Sequence, residues 1–471
     1  MSVLKITGGR TLSGSVRVQG AKNSALPLLA ASVLTEGVSV FRNCPKLTDV
    51  HTAVQILRHI GCRVYAEGES LYVDASGPLT PDIPDELMRE MRSSVIFLGA
   101  LLSRCGETAV CLPGGCELGP RPVDLHILAL RRLGAEITEM NGRLCCKAAK
   151  LRGCRIDLPA VSVGATENAM LAAALAEGTT VISGAAREPE IVELQSYLRA
   201  AGALVSGAGS SVIRIRGVKK LHGAEHRVRS DRIVTATWLC ACASAGGEIS
   251  LYDAEPGDCG PVLLALKKMG CAVNVGEGFL HIRRQKPLVA PGPIVTRPYP
   301  GFPTDAQPPM MAAALKAEGT TVIIETIFSG RYRHIDALRE MGADIRTAGK
   351  TAVIRGVEAL RGAAVTASDL RGGAALLVAA LAAEGETVLG GLRHLDRGYE
   401  EPEIILRELG ADVCRVEETE RRRDAANGRD DRAHGREATQ TETGAAEMET
   451  DPLSAGFGCD IAGSEYFLSN F

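Results

Sequence analysis

The sequence predicts an α/β protein of two domains, each built from three βαβαββ units, and three observations carry that prediction. At 471 residues the chain exceeds what a single hydrophobic core usually organises. A related short word, built on a glycine that follows a long apolar segment, recurs six times. Within each recurrence one segment is apolar nearly all round and another is amphipathic, so each copy pairs a helix buried on every side with a surface helix.

The recurring glycines are Gly37, Gly106, Gly178, Gly247, Gly319 and Gly385, spaced 66 to 72 residues apart. Four of the words are plainly related: Leu-Thr-Glu-Gly-Val-Ser-Val, Leu-Ala-Glu-Gly-Thr-Thr-Val, Lys-Ala-Glu-Gly-Thr-Thr-Val and Ala-Ala-Glu-Gly-Glu-Thr-Val. Each copy reads as an apolar helix such as 165–176, a glycine C-cap, a β-branched strand, a loop and an amphipathic helix. A second glycine then closes the amphipathic helix, at Gly61, Gly134, Gly202, Gly270, Gly342 and Gly410. Two strands follow, the first exemplified by Ala343-Asp344-Ile345-Arg346. The segment 373–383 has no polar face at all, which predicts complete burial against equivalent helices.

The words Arg17-Val18-Gln19-Gly20 and Arg227-Val228-Arg229-Ser230 precede the first and fourth apolar helices and read as two crossings between domains. Residues 1–20 are thus expected to supply N-terminal strands to the second domain. The first domain is expected over 21–229 and the second over 230–416, with short links that let the halves hinge over a cleft. Residues 417–471 open with Glu-Glu-Thr-Glu-Arg-Arg-Arg-Asp, lie outside the repeat, and are expected to form a disordered charged tail.

Composition narrows the function. A net charge of −3 from 53 basic and 56 acidic residues carries no polyanion-binding signature, so no nucleic-acid partner is expected. No run approaches the ~18 apolar residues of a membrane span and the N-terminus lacks a secretory apolar core, which predicts a cytoplasmic protein without a membrane span. There are fourteen cysteines but no Cys-x-x-Cys. Pairs such as Cys145/Cys146 and Cys240/Cys242 fall in strand-like or apolar runs, so the thiols read as reduced and structural. His126, His334 and His394 show no ligand spacing. No metal and no cofactor are expected.

Two features point to chemistry. Residues 112–126 place three glycines and three prolines around the single thiol of Cys116, with Arg121 and Asp124 following; no apolar periodicity puts that thiol on a core face. The second feature is the polar set opening the apolar helices: Lys22-Asn23, Arg92-Ser93, Thr166-Glu167-Asn168, Asp231-Arg232, Thr304-Asp305 and Asp369-Leu370-Arg371. Helix N-termini carry free N–H groups and the positive dipole end. If these ends converge, they make an anion-attracting cleft.

Seven stretches together resemble the UDP-N-acetylglucosamine 1-carboxyvinyltransferases, the enolpyruvyl transferases of peptidoglycan synthesis. They are Gly20-Ala21-Lys22-Asn23, Leu112-Pro113-Gly114-Gly115-Cys116, Arg121-Pro122-Val123-Asp124-Leu125-His126, Val163-Gly164-Ala165-Thr166, Ala186-Arg187-Glu188-Pro189-Glu190, Phe302-Pro303-Thr304-Asp305 and Asp396-Arg397-Gly398-Tyr399-Glu400. The resemblance covers residues 1 to about 416 and implies two inside-out α/β domains with threefold pseudo-symmetry. It further implies that phosphoenolpyruvate and UDP-N-acetylglucosamine are the substrates, with phosphate released.

Residue roles follow from the resemblance. Cys116 is implied as the acid that protonates the enolpyruvyl methylene carbon and as the target of the epoxide fosfomycin. Asp305 is implied as the base on the sugar 3-hydroxyl. Lys22, Arg121 and Arg397 would grip phosphoenolpyruvate, with Arg92, Arg331 and Arg371 nearby; Asn23 and Asp231 would help to arrange the pocket, and Asp369 is counted among the substrate-binding residues. Pro122, Val123, Asp124 and Leu125, the Ser162-Val163-Gly164 turn and Ile327 would hold the uridine and diphosphate, so no Walker or Gly-x-Gly-x-x-Gly fingerprint is needed. Ala160 departs from members that carry a lysine there. The sister enzyme acting on shikimate 3-phosphate is the closest rival, and the cysteine loop argues against it. A nucleotide-sugar-sequestering paralogue without turnover is opposed by the intact Lys22, Cys116, Asp305 and Arg397. A metal or redox module is opposed by the cysteine spacing.

Overall fold

A computed structural model of the chain describes residues 2–111 and 123–417, without the side chain of Arg92. Cys116, Arg121, Pro122 and the charged tail from residue 418 lie outside the described residues. Among those described, no helix is long and apolar enough to cross a membrane.

The repeat is a backbone requirement. All twelve punctuating glycines take a positive φ, from 80° at Gly106 to 106° at Gly37, a region that side chains with a Cβ rarely enter. The third copy shows the unit complete: strand Arg155–Asp157, helix Val163–Ala174, strand Thr179–Ser183, helix Pro189–Ala200 and strands Leu204–Ser206 and Val212–Arg216. The first strand runs parallel to the second, and the last two close the sheet antiparallel, so that Val212–Arg216 lies between its neighbours. Burial alternates along Thr179–Ser183, the pattern of a sheet with one face on the core.

Which strand leads each copy, and on which partner, is what the local pattern did not show. In the first copy it is Glu225–Arg227, parallel to Val38–Arg42; in the fourth it is Leu12–Arg17, parallel to Gly247–Tyr252. The sixth copy borrows Ser2–Thr7, which pairs antiparallel with Glu386–Gly390. The second has a three-stranded sheet with only a bridge between Asp82 and Ala109 in place of the leading strand.

The apolar helices start and stop earlier than expected. The segment read as 165–176 is helical over Val163–Ala174, and that read as 373–383 over Leu370–Leu381. Ser162 and Asp369 cap these helices, which sets the earlier starts. At the other end Ala383–Glu384 pairs with Leu360–Arg361, so backbone groups leave the helix for a neighbouring strand. The glycine is itself the C-cap at Gly106, but after the first, fifth and sixth apolar helices a two-residue strand intervenes.

Helices Arg232–Ala245, Gln307–Ala314 and Leu370–Leu381 pack on one another, in a core that also takes in Leu4, Leu12 and Val16 from the N-terminal strands. Helix Phe97–Cys105 packs on Val163–Ala174 through an inserted amide. Asn168 Oδ1 accepts from Gly99 N at 2.7 Å and Nδ2 donates to Val95 O at 3.0 Å, occupying the groups that would otherwise bond i to i−4 within one helix.

Two predictions follow from this packing. A Cβ at Gly99 would lie 2.5 Å from Asn168 O and 2.7 Å from its Oδ1. Gly99→Ala should therefore cost about 1–3 kcal/mol by overpacking, while Gly260→Ala, with nothing within 4 Å, should leave the denaturant midpoint near wild type. Equal midpoints would show that the helices part freely. The second concerns Glu167, buried in the same helix, whose carboxyl is pushed up to about 8 by burial and then by Glu190 and Glu188. A carboxyl whose folded pKa is raised adds stability that is full below its ordinary value of 4.5 and is lost as pH rises through about 8. Between pH 5 and pH 9, Glu167→Gln should lose fewer degrees of Tm than wild type, by roughly several degrees; identical Tm profiles would mean that Glu167 is ionised in the fold.

Candidate active site

Lys22 opens the first apolar helix, after an extended Ala21 that offers no side-chain cap. Its ammonium is 3.1 Å from Asp49 Oδ2, and the other oxygen of Asp49 accepts from Arg397 Nε at 2.7 Å. Lys22 is 8% exposed. Burial lowers its pKa most, Arg371 and Arg397 lower it further, and Asp49 opposes them. For Asp49 burial works upward, but Lys22 and Arg397 outweigh it and hold the carboxyl below its usual range. Asp49 was not singled out from the sequence. An acid in the first turn of helix Thr48–His59 reads as an ordinary dipole partner, and nothing local announces its two cations.

Asp305 lies in the short turn Thr304–Ala306 that leads into the fifth apolar helix. Two guanidiniums hold it: Arg331 through Nη2, and Arg371 through Nε at 3.2 Å. Arg331, 1% exposed, also donates from Nε to Thr304 O and Oγ1 at 3.1 and 3.2 Å. Thr304 donates to Glu325 at 3.0 Å, and the same carboxylate accepts the N–H groups of Ile327 and Phe328 at 2.8 and 3.0 Å. Glu325 thereby ties the loop bearing Ile327, 37% exposed, to the turn bearing Asp305.

Behind Arg371 stands Tyr399. Thr237 Oγ1 donates to Ile233 O at 2.9 Å, so at 2.8 Å it accepts from the Tyr399 hydroxyl. That hydroxyl in turn accepts from Arg371 Nη1 at 3.3 Å. Burial alone would lower the pKa of Arg371, but Asp305 and Tyr399 raise it, so the side chain stays cationic. Tyr399 and Glu325 are further residues that sequence reasoning passed over; Tyr399 stood in a quoted motif without a role.

Not every helix start offers free amides as expected. Asp231 Oδ1 accepts from Ile233 N and Val234 N at 2.8 and 3.1 Å, and its Oδ2 from Lys22 N at 3.2 Å. Asp369 Oδ1 accepts from Arg371 N and Gly372 N at 3.0 and 2.9 Å. Both carboxylates therefore cap helix starts through Oδ1, Asp231 also joins the first apolar helix to the fourth, and Asp369 Oδ2 is buried without a hydrogen-bond partner among the described residues. Thr166, Glu167 and Asn168 sit inside their helix, because Ser162 is its cap. Around that cap lie the half-buried Val163 and Gly164, and the helix following Val123 carries exposed Asp124, half-buried Leu125 and buried His126. Asn23 is half-buried beside Lys22, and Arg92 begins the turn Arg92–Ile96. Direct contacts thus join Lys22, Asp231 and Arg397 on one side of the site and Asp305, Arg331, Asp369 and Arg371 on the other, while Arg371 acts electrostatically on Lys22. The Val123–Leu125 and Ser162–Gly164 segments lie at the starts of two helices that pack on each other.

This arrangement can bind an anion with several phosphate and carboxylate oxygens between buried cations and can present a carboxylate, Asp305, to a hydroxyl beside it. Among the described residues no group of His, Cys, Asp and Glu is arranged to hold a metal ion, and the described cysteines are free thiols.

Comparison with known proteins agrees with the geometry. Residues 6–406 match the model of the EPSP synthase (3-phosphoshikimate 1-carboxyvinyltransferase) family. The chain is 50% identical over 416 residues, 88% of its length and 100% of the relative's, to UDP-N-acetylglucosamine 1-carboxyvinyltransferase 2 of Caldanaerobacter subterraneus subsp. tengcongensis. With the UDP-N-acetylglucosamine 1-carboxyvinyltransferase of Dichelobacter nodosus it shares 46% over 419 residues, 89% of this chain and 100% of the relative. Among solved structures it resembles the enolpyruvyl transferase NikO of Streptomyces tendae, with a TM-score of 0.79 at 27% identity over 88% of this chain and 99% of that one. EPSP synthase from Acinetobacter baumannii, at TM-score 0.67 and 21% identity over 88% and 100% of the two chains, shares the fold. The chain belongs to the EPSP synthase family and, within it, to the UDP-N-acetylglucosamine 1-carboxyvinyltransferases.

Proposed function

We propose that the chain transfers the enolpyruvyl group of phosphoenolpyruvate to the 3-hydroxyl of UDP-N-acetylglucosamine with release of phosphate, the first committed step of peptidoglycan synthesis, in the cytoplasm. The observation that carries the reading is the joining of Lys22, Arg397, Arg371 and Arg331 around two aspartates, the buried Asp49 and the half-buried Asp305. In this reading residues 21–229 and 230–416 are two domains, the strands of 1–20 belong to the second, and the substrates lie between them.

Lys22, Arg121 and Arg397 hold the carboxylate and phosphate of phosphoenolpyruvate, with Arg92, Arg331 and Arg371 nearby. Asn23, Asp231 and Asp369 keep the helix ends in place. Pro122, Val123, Asp124, Leu125, Ser162, Val163, Gly164 and Ile327 hold the nucleotide.

In the addition step Asp305 takes the proton of the 3-hydroxyl as that oxygen bonds to C2 of phosphoenolpyruvate, and Cys116 gives a proton to C3. In the elimination step the C2–O bond to phosphate breaks, C3 returns a proton to the Cys116 thiolate, and phosphate leaves. A carboxylate gripped by two guanidiniums is a poor base. The incoming phosphate therefore has to compete for Arg371 or Arg331 and free one oxygen of Asp305.

The test is phosphate release on mixing phosphoenolpyruvate with UDP-N-acetylglucosamine, run beside shikimate 3-phosphate. Release is expected with the nucleotide sugar. Asp305→Asn should retain nucleotide-sugar binding yet lose turnover by about 10²-fold or more, because an amide cannot accept the proton. Release with shikimate 3-phosphate alone would replace the substrate assignment, and near-normal turnover by Asp305→Asn would remove Asp305 as the base.

A further inference from the structure

The amide of Asn168 does more than join two helices. Its Oδ1 faces Gly99 N, which can only donate, and its Nδ2 faces Val95 O, which can only accept; these two partners fix which end of the amide is which. The second hydrogen on Nδ2 points at His126 Nδ1, 2.7 Å away. Nδ1 must therefore be the unprotonated nitrogen, and the proton of a neutral ring sits on Nε2. Burial pushes the His126 pKa down to about 4, so the ring is neutral at physiological pH.

Nε2 takes no hydrogen bond among the described residues, although the side chain is only 8% exposed. The ring lies against the start of helix Val163–Ala174. A Cβ at Gly164 would come within 3.0 Å of its Cε1 and 3.3 Å of Nε2, so the glycine is what lets the imidazole close on this turn. An N–H donor without a partner among the described residues, on an otherwise buried ring beside the N-terminus of a twelve-residue helix, suits an anionic oxygen.

We propose that His126 is a ligand-binding residue of the nucleotide-sugar site, held by Asn168 as the neutral Nε2–H tautomer and donating from Nε2 to an oxygen of the diphosphate. The proposal rests on the functional reading above and adds to it a donor and the residue that sets its tautomer. A neutral donor suits this place, because it binds without the desolvation cost of a second buried cation. Asn168 is a positioning residue that acts through His126.

The test combines spectroscopy with binding. In protein labelled with ¹⁵N-histidine, His126 should show a proton on Nε2 and none on Nδ1. Adding UDP should shift the Nε2 resonance far more than that of Nδ1. His126→Phe should weaken UDP binding by about tenfold, the loss of one hydrogen bond to a charged group, while leaving uridine binding within about twofold; His126→Gln, which keeps an N–H donor, should recover part of the loss. Asn168→Asp, which puts an acceptor against Nδ1, should move the proton to Nδ1 and weaken UDP binding to a similar degree. A proton on Nδ1 in wild type, or unchanged UDP affinity in His126→Phe, overturns the proposal. Failure of wild type to bind UDP at all, with Nε2 still protonated, overturns the parent reading of the site and the ligand assigned to His126 with it.

Discussion

Burying cations is the constraint on which the rest of the structure depends. Lys22, Arg331 and Arg371 are between 1% and 8% exposed, and an unpaired cation so deep in protein would cost several kcal/mol. Each is therefore tied to a carboxylate: Lys22 to Asp49, and both arginines to Asp305. The carboxylates are in turn placed by elements far apart in sequence, since Asp49 is shared with Arg397 and Asp305 reaches Arg331 and Arg371 from two other segments. The fold must bring the starts of the first, fourth, fifth and sixth apolar helices close together for this set of charges to form. On the proposed reading an anionic substrate would meet a site already lined with cations, where its oxygens would compete with the internal acids.

The same arithmetic explains which acids are free to do chemistry. Asp231 and Asp369 look like Asp305 from sequence, each near the start of an apolar helix. At least one oxygen of each, however, accepts backbone N–H groups at those starts, which suits them to holding geometry. Asp305 stands one residue inside a short turn and accepts from side chains, which a substrate can draw away.

Much of this was legible in the chain because it is local. A glycine that must sit at positive φ is visible as a glycine, so the repeat and its two punctuation marks could be counted, and the buried helices followed from segments without a polar face. The strand pairings that lead the first and fourth copies were legible only as crossings that assign residues 1–20 to the second half, since Glu225–Arg227 and Leu12–Arg17 find partners nearly two hundred or more residues away and no local pattern encodes the register. Within the site, Lys22 and Asp305 stood out by position and resemblance. Asp49, Glu325 and Tyr399 did not, because their roles exist only through three-dimensional partners. Asn168 was visible as a polar residue near an apolar helix, but that it bridges Gly99, Val95 and His126 depends on how closely two helices approach.

The claim that the buried cations form the anion site is tested most directly by proton linkage. Burial and the neighbouring arginines hold the pKa of Lys22 below its ordinary value, so an anion bound against it should raise that pKa and take up protons in alkaline solution, where a phosphate ester is already fully ionised. Calorimetry of phosphoenolpyruvate binding at pH 9, in buffers of different ionisation enthalpy, reads that uptake; a Cys116→Ser background removes the thiol as a competing titrating group. The account predicts measurable proton uptake in Cys116→Ser and its loss when Lys22→Arg is added, because a guanidinium stays charged throughout. Equal uptake with and without Lys22→Arg would contradict it.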